Sequence, residues 1–265
     1  MIKKSLWSQS TGNGEPLFLI HGMGSASTAW KEIIPTLSQR FRVITLDLPG
    51  HGNTPLIESQ PMDPTSLGNA IFELADAYGI EKMHIVGNSL GGWIALEMAA
   101  SNPDRVLSVT GLAPAGLWLT PYSSRIPGTA GSKIIASALK HVAPTLLRFE
   151  SVRKIGFSSI SPRWNELSLD ICRDATIAMG RSPGYYPAWD ALLKKRFDKE
   201  IDPKVTVTII FGDADNTLPV RTCQERSLAP KHAKWLILSE CGHAPMWDAP
   251  EDVSSEIFST TQRAK

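Results

Sequence analysis

The chain has 265 residues, of which 42% are hydrophobic, and its formal net charge at pH 7 is +1. This length allows one or two domains with an ample core, and the nearly balanced charge, without a basic run, argues against electrostatic binding of nucleic acid. No window approaches the ~18 consecutive apolar residues of a membrane span, and the first residues lack the apolar stretch of a signal peptide. The cysteines show no paired spacing, so we expect reduced thiols in a cytoplasmic protein; they are Cys172, Cys223 and Cys241.

Strand and helix patterns alternate over the first part of the chain. Patterns typical of strands lie at 5–8, 17–20, 41–46, 83–86 and 106–112. Helical spacing is found from about Ser27, over 64–78 and after Ser89, and Asp63 followed by Pro64 is typical of a helix start. This alternation predicts an α/β fold with a mostly parallel sheet covered by helices on both faces.

The alternation is interrupted over residues 117–200, which contain no convincing strand pattern. Helical patches at 133–147, 164–179 and 189–199 are joined by proline and glycine. Strand patterns resume at 205–211 and 235–238, with helical patterns at 218–228 and 253–260. We therefore predict one α/β core formed by residues 1–116 and 201–265, with residues 117–200 inserted as a separate helical unit.

A strand, a sharp turn and a helix follow one another around Ser89, in the sequence Gly87-Asn88-Ser89-Leu90-Gly91. In so tight a turn, a Cβ at Gly87 or Gly91 would collide with the neighbouring chain. The turn would lift the Ser89 hydroxyl clear of the sheet. The amide of Leu90 would point from the first turn of a helix, where N–H groups lack internal partners. Ser89 is thus a candidate nucleophile, and the Leu90 amide is a candidate donor to an oxyanion.

A serine nucleophile needs a base, and the base needs an acceptor that orients it. Loops after the later strands of a parallel sheet gather at one edge, and two of them supply these residue types. His243 is the predicted base. Asp213 and Asp215 both qualify as the orienting acid, and Asp215, which lies deeper in its loop, is favoured. The order serine, acid, histidine is the order that this kind of elbow requires.

The loop His21-Gly22-Met23-Gly24 supplies the second predicted oxyanion donor, the amide of Met23, because its glycines free the backbone to face the Ser89 turn. Losing one such donor typically costs ~3 kcal/mol of transition-state stabilisation. His21 and His51 are interpreted as structural loop residues. No histidines, cysteines or carboxylates show ligand spacing on one element, so we expect neither a metal nor a cofactor.

Together these motifs resemble the α/β-hydrolase superfamily over nearly the whole chain. The matching pieces are the His21–Gly24 loop, Asp47-Leu48-Pro49-Gly50-His51-Gly52, the Gly87–Gly91 elbow, Gly212-Asp213-Ala214-Asp215 and Gly242-His243-Ala244-Pro245. In such families the acid occupies the last position of the G-x-x-D loop, which supports Asp215. The resemblance also implies a helical cap, which residues 117–200 match.

The elbow is similar to those of small esterases and of carbon–carbon bond hydrolases that act on aromatic ring-cleavage products. The latter usually carry an aromatic residue directly after the catalytic histidine, where Ala244 stands here, and Arg173 and Arg181 are uncertain matches to their substrate-binding arginine. The resemblance therefore implies a hydrolase of small, mainly apolar carboxylic esters first, and a hydrolase of dienoic diketo-acids second. A non-catalytic ligand receptor on the same fold is the third interpretation.

The expected partner is a small-molecule substrate, and large side chains of the inserted unit and of the segment after His243 are candidates to wall its pocket. Core packing explains each of them equally well, so both interpretations stay open. The candidates are Trp118, Trp189, Met246 and Trp247.

Overall fold

The computed structural model describes residues 6–57, 59–125 and 129–264. In this part of the chain one sheet has the strand order β1-β3-β2-β4-β5-β6-β7, and its neighbours are parallel except β1, which runs antiparallel to β3. The predicted α/β class with a mostly parallel sheet is confirmed. The strands are β1 (Ser8–Thr11), β2 (Glu15–Ile20), β3 (Phe41–Leu46), β4 (Met83–Asn88), β5 (Val106–Leu112), β6 (Thr206–Gly212) and β7 (Lys234–Leu238).

Helices lie in the connections between successive strands from β2 onward. Two short 3₁₀ helices lie at Ser27–Trp30 and Arg226–Leu228. The α-helices are α1 (Ile34–Leu37), α2 (Pro64–Ala77), α3 (Leu90–Ser101), α4 (Thr129–Leu139), α5 (Ala143–Leu146), α6 (Glu150–Phe157), α7 (Leu169–Gly180), α8 (Tyr185–Leu192), α9 (Val220–Cys223), α10 (Pro245–Asp248) and α11 (Pro250–Arg263).

Both faces of the sheet are buried, as expected of parallel strands. Side chains of a strand alternate between the faces, so in β2 Phe18 and Ile20 join one apolar cluster while Leu17 and Leu19 join the other. All four are fully buried. Helices α2 and α3 cover the first cluster, and α11 with the residues around Trp30 covers the second. The carboxyl ends of the strands are thereby left as the edge where loops can form a site.

Several predicted elements begin or end elsewhere in the structure. The first strand was predicted at 5–8, but it is Ser8–Thr11, a polar edge strand that pairs with β3 without needing a buried face. The helix predicted from Ser27 is broken into a 3₁₀ turn and α1. Helix α2 begins as predicted, since the Asp63 side chain accepts a hydrogen bond from the Ser66 amide at 3.2 Å.

Residues 117–200, called here the inserted segment, leave the sheet after β5 and return before β6. Helices α4 to α8 lie in it, and its described residues contain no strand. The helical patch predicted at 133–147 is divided between α4 and α5, and α6 was not predicted. The segment has a small apolar cluster of its own, formed by Leu147, Phe157, Leu167 and Cys172.

Candidate active site

Ser89 stands at the tip of the turn between β4 and α3, in a strained conformation. Its φ is +54° and its ψ is −115°, in a region that side chains other than glycine rarely adopt. The turn is held on both sides, because the Ser89 amide donates to Leu112 O at 2.9 Å and its carbonyl accepts from Ala115 N at 2.9 Å. The residue is partly exposed although β4 is fully buried. The sharp elbow read from the sequence is therefore present.

Glycine is required at two positions of this elbow by the closeness of other backbone. A Cβ added at Gly87 would lie 2.1 Å from Gly91 O, and one added at Gly91 would lie 2.0 Å from Ile20 O. These separations are far below van der Waals contact, and the neighbouring atoms are backbone that cannot rotate away. The turn thus forms only because the chain has no side chain at either place.

The loop after β2 lies directly against the elbow. A Cβ added at Gly22 would lie 3.1 Å from Ser89 Cβ, so the two loops are in contact. Gly24 has a φ of +72°, which turns the chain just after Met23. Leu90 is the first residue of α3, where a backbone N–H has no partner within the helix. Leu90 thus directly follows Ser89, and Met23 directly follows the glycine that lies against Ser89; their role as oxyanion donors stays a prediction.

Asp215 and His243 are joined by their side chains. Asp215 Oδ2 lies 2.9 Å from His243 Nδ1, and Oδ1 accepts from the amides of Thr217 and Leu218 at 2.9 and 2.8 Å. The carboxylate is buried and its three contacts fix its orientation. A carboxylate held this way keeps the proton of the imidazole on Nδ1, which leaves Nε2 with a lone pair.

Asp213, the other candidate acid, has a different set of contacts. Its exposed carboxylate accepts from Ser239 Oγ at 3.1 Å and from the Cys241 amide at 3.4 Å. It therefore ties the loop after β6 to the loop after β7. Of the two carboxylates, only that of Asp215 is hydrogen-bonded to His243 in the described structure.

The side chain of Asn88 connects the elbow to the histidine loop. Its Nδ2 donates to His243 O at 2.9 Å and to Leu112 O at 3.1 Å. Asn88 is buried and directly precedes Ser89. The contact brings the loops that follow β4 and β7 together, although β5 and β6 lie between these strands in the sheet.

His21 supports the loop that carries Met23, and the ring centroid of the buried His51 lies 5.4 Å from that of His21. His21 Nε2 accepts from the Leu48 amide at 3.0 Å, which places the ring proton on Nδ1, 2.7 Å from Gly22 O. Burial lowers the pKa of His21, and burial also lowers the pKa of His51 to about 3. Both rings are therefore neutral at pH 7 and brace the backbone, as their interpretation as structural loop residues requires.

The four predicted pocket residues fall in different surroundings. Trp118 and Trp189 are buried on either side of Tyr122, and Trp118 also meets Trp93 of α3 edge-on at 5.2 Å. Met246 packs in the apolar cluster that α11 covers, on the other face of the sheet from Trp118. These placements leave a pocket role for each of them a prediction.

Trp247 is placed between the core and the inserted segment. Its Nε1 donates to Ala29 O at 2.9 Å, and its ring packs against both the Leu17 cluster and the cluster of the inserted segment. It lines a small cleft there with Ser25, Ile171 and Asp174. Its pocket role also remains a prediction.

Sequence reasoning assigned no role to Met179 or Asp248, and it counted Tyr185 only among the large side chains of the inserted unit. A Cβ added at Gly24 would lie 2.6 Å from Met179 Cε and 3.0 Å from Tyr185 Cδ2, so α7 and α8 cover the loop of Met23. Asp248 accepts from the Gly242 amide at 2.7 Å, next to His243. No motif marks Met179 or Tyr185, whereas the position of Asp248 five residues after His243 could have drawn attention to it.

Residues 15–250 match the family model for the alpha/beta hydrolase fold, so the chain belongs to that family. Among its relatives, the pimeloyl-[acyl-carrier protein] methyl ester esterase of Aeromonas hydrophila is 32% identical over 250 residues, which cover 91% of this chain and 92% of that protein. The resemblance read from the motifs is thereby confirmed.

Solved structures agree with this assignment. An esterase from a Rhodococcus species superposes with a TM-score of 0.75 at 16% identity, covering 98% of this chain and 95% of that one. A meta-cleavage product hydrolase from Pseudomonas fluorescens superposes with a TM-score of 0.73 at 21% identity, covering 98% and 95%. At these identities the likeness establishes a common fold.

Within the described residues, no helix has the length and apolarity needed to cross a bilayer.

Proposed function

We propose that the chain is a cofactor-free serine hydrolase that cleaves small, mainly apolar carboxylic esters. The observation that carries the proposal is the 2.9 Å contact between His243 Nδ1 and Asp215 Oδ2, in loops at the same sheet edge as the strained Ser89. Family membership supports a hydrolase in general. The ester bond and the roles of individual residues are the proposed part.

The first half of the reaction forms an acyl-enzyme. Asp215 holds the Nδ1 proton, so Nε2 of His243 accepts the proton of the Ser89 hydroxyl as its oxygen attacks the ester carbonyl. The carbonyl oxygen becomes an anion in the tetrahedral intermediate. The amides of Met23 and Leu90 donate to this oxygen, which lowers the barrier because the charge is larger there than in the ester. His243 then gives its proton to the departing alcohol.

The second half regenerates the enzyme. Water takes the place of the alcohol, and Nε2 of His243 accepts one of its protons while the oxygen attacks the acyl carbon. The intermediate collapses, the acid leaves, and the proton returns to Ser89 Oγ.

The ester bond is favoured over the carbon–carbon bond by sequence and by similarity. Ala244 follows the proposed base where carbon–carbon hydrolases usually have an aromatic residue. Arg173, one of the two candidates for a substrate-binding arginine, is already paired within α7, with Asp170 at 3.0 Å and with Asp174 at 3.7 Å. The relative from Aeromonas hydrophila is named for cleaving a methyl ester, and its 32% identity makes methyl esters of acyl chains the first substrates to try.

Hydrolysis of a substrate panel tests this proposal. The panel contains short p-nitrophenyl esters, methyl esters of mono- and dicarboxylic acids, and a coloured ring-fission product. We expect ester turnover that Ser89→Ala abolishes and that Ser101→Ala, a change at the far end of the same helix, leaves intact. Turnover of the ring-fission product with little ester cleavage would instead favour the carbon–carbon reaction, and tight binding without any turnover would favour a receptor.

A further inference from the structure

The carboxylate of Asp248 is buried where the inserted segment meets the loop of His243. Oδ2 accepts from the Gly242 amide at 2.7 Å, and Oδ1 accepts a hydrogen bond from the hydroxyl of Ser161. The backbone oxygen of Asp248 accepts from Arg163 Nη1 at 2.9 Å. One residue of α10 is therefore bonded both to the histidine loop and to two residues of the inserted segment.

The backbone of the same loop is also held by the inserted segment. The His243 amide donates to Ile160 O at 2.7 Å. A Cβ added at Gly242 would lie 2.0 Å from Ile160 O, so the two chains are in direct backbone contact at a place where only glycine fits. Residues 160–163 thus contact the His243 loop on one side, and Asn88 contacts it on the other through its hydrogen bond to His243 O.

We propose that Asp248 is a positioning residue through which residues 160–163 set the place of His243 relative to Ser89. His243 is then correctly placed to accept the Ser89 proton only while residues 160–163 remain in contact with Asp248. The inserted segment contributes to the chemical step itself, in addition to any contact it makes with substrate. This inference rests on the proposed function, because it assigns a role to the position of the base.

An amide of the same shape cannot accept both of the hydrogen bonds that the Asp248 carboxylate accepts. Asp248 presents two acceptor oxygens to two donors, the Gly242 amide and the Ser161 hydroxyl. Asparagine has one acceptor oxygen. With that oxygen on the Gly242 amide, its NH2 group would face Ser161 and donate to the hydroxyl oxygen, so the Ser161 proton would lose its acceptor and the bond would be reversed. Burial raises the pKa of Asp248, which the contacts with Ser161, Gly242 and Arg163 partly offset. Arg163, Glu166 and Cys241 are the other titratable side chains around it.

Two variants and one matched control test the inference. Asp248→Asn removes one acceptor, and Ser161→Ala removes the hydroxyl that donates to Asp248 and accepts from the Arg163 amide. Asp252→Asn, the control, changes an exposed aspartate at the start of α11. For each protein, kcat and KM are measured on the best ester. The extent and the rate of labelling of Ser89 by a fluorophosphonate are measured as well. The extent reports the fraction of folded sites, whereas the rate reports how well the base activates the serine.

We expect Asp248→Asn to lower kcat and the labelling rate by about tenfold to a hundredfold, the size of effect that a misplaced reacting group has, with KM nearly unchanged. Ser161→Ala should act in the same direction to a smaller degree, and the double variant should be no slower than Asp248→Asn alone, since both changes break one connection. Asp252→Asn should match the wild type.

Three outcomes would overturn this inference. The first is that Asp248→Asn and Ser161→Ala label Ser89 at the wild-type rate. The second is that these variants lower only the extent of labelling, because that would mean fewer folded sites rather than a misplaced base. If Asp248→Asn does not fold, an unchanged rate in Ser161→Ala decides against it. An active wild type with unaffected variants refutes this inference alone, whereas a wild type that neither turns over esters nor reacts with the probe refutes the proposed function as well.

Discussion

The side-chain amide of Asn88 donates to the carbonyl oxygen of His243 at 2.9 Å, across 155 positions of the chain. The residue directly before the candidate nucleophile is thereby fixed to the backbone of the candidate base. Since two strands of the sheet separate the strands that precede these residues, the contact has to be made by the loops themselves. The relative position of Ser89 and His243 thus depends on a specific hydrogen bond as well as on the sheet.

Asn88→Ala is expected to lower both activity and stability. Its loss leaves the part-buried carbonyl oxygen of His243 without this donor, whereas Leu112 O keeps the Ser89 amide. An unsatisfied buried polar group costs about 1–3 kcal/mol. We expect a fall in kcat/KM of about tenfold or more, together with a lower midpoint of denaturation by urea. Asn102→Ala, at the other end of α3, is the control. Wild-type kcat/KM in Asn88→Ala would show that the two loops are positioned without this contact.

Asp215→Asn and Asp213→Asn distinguish the two candidate acids. An amide at 215 would donate to Nδ1 and so favour the wrong tautomer of His243, which in a triad lowers kcat by on the order of 10⁴. An amide at 213 changes only an exposed contact between two loops. We expect kcat on a p-nitrophenyl ester to collapse in the first variant and to change by less than about threefold in the second. The reverse order would assign the orienting role to Asp213.

Gly91→Ala should be strongly destabilising, because its Cβ would meet Ile20 O at 2.0 Å. Gly156→Ala, in α6, adds a Cβ with nothing within 4 Å and should raise stability slightly, by up to about 1 kcal/mol. Thermal unfolding measured by circular dichroism compares the two variants. A Gly91→Ala protein as stable as the wild type would mean that the elbow is wider than described.

The buried histidine of the loop after β3 predicts how stability depends on pH. Burial lowers the pKa of His51 to about 3 from its usual 6.5, so between these values the unfolded chain binds a proton that the folded protein excludes. Folding is therefore opposed increasingly as pH falls from about 6.5 toward 3. We expect the midpoint of thermal unfolding to decline over this range, and His51→Gln to decline less steeply. Equal slopes in both proteins would exclude His51 as the cause.

The sequence predicted the parts of this protein that depend on local pattern. Buried strands such as β3 and β5 are rich in apolar and β-branched residues, and the elbow is determined by two glycines and a serine within five residues. The start of α2 follows from Asp63 and Pro64. Such features need only short-range sterics and hydrogen bonds.

The remainder depends on contacts that are distant in sequence. Nothing near Asp248 indicates that its carboxylate meets Ser161, 87 positions earlier. Met179 and Tyr185 reach the loop of Met23 only because the inserted segment folds back over the sheet edge. Helical spacing also failed to separate α4 from α5 or to mark the break after Trp30, because packing rather than propensity ends these short helices.

The most direct test of the central claim is the site and rate of reaction with a fluorophosphonate, read by mass spectrometry of the labelled peptides. We expect one probe per chain, attached to the peptide that contains Ser89, no label in Ser89→Ala, and labelling slowed by on the order of 10³ or more in His243→Ala. A label on another residue, or an unchanged rate after the loss of His243, would contradict the proposal that these side chains act together.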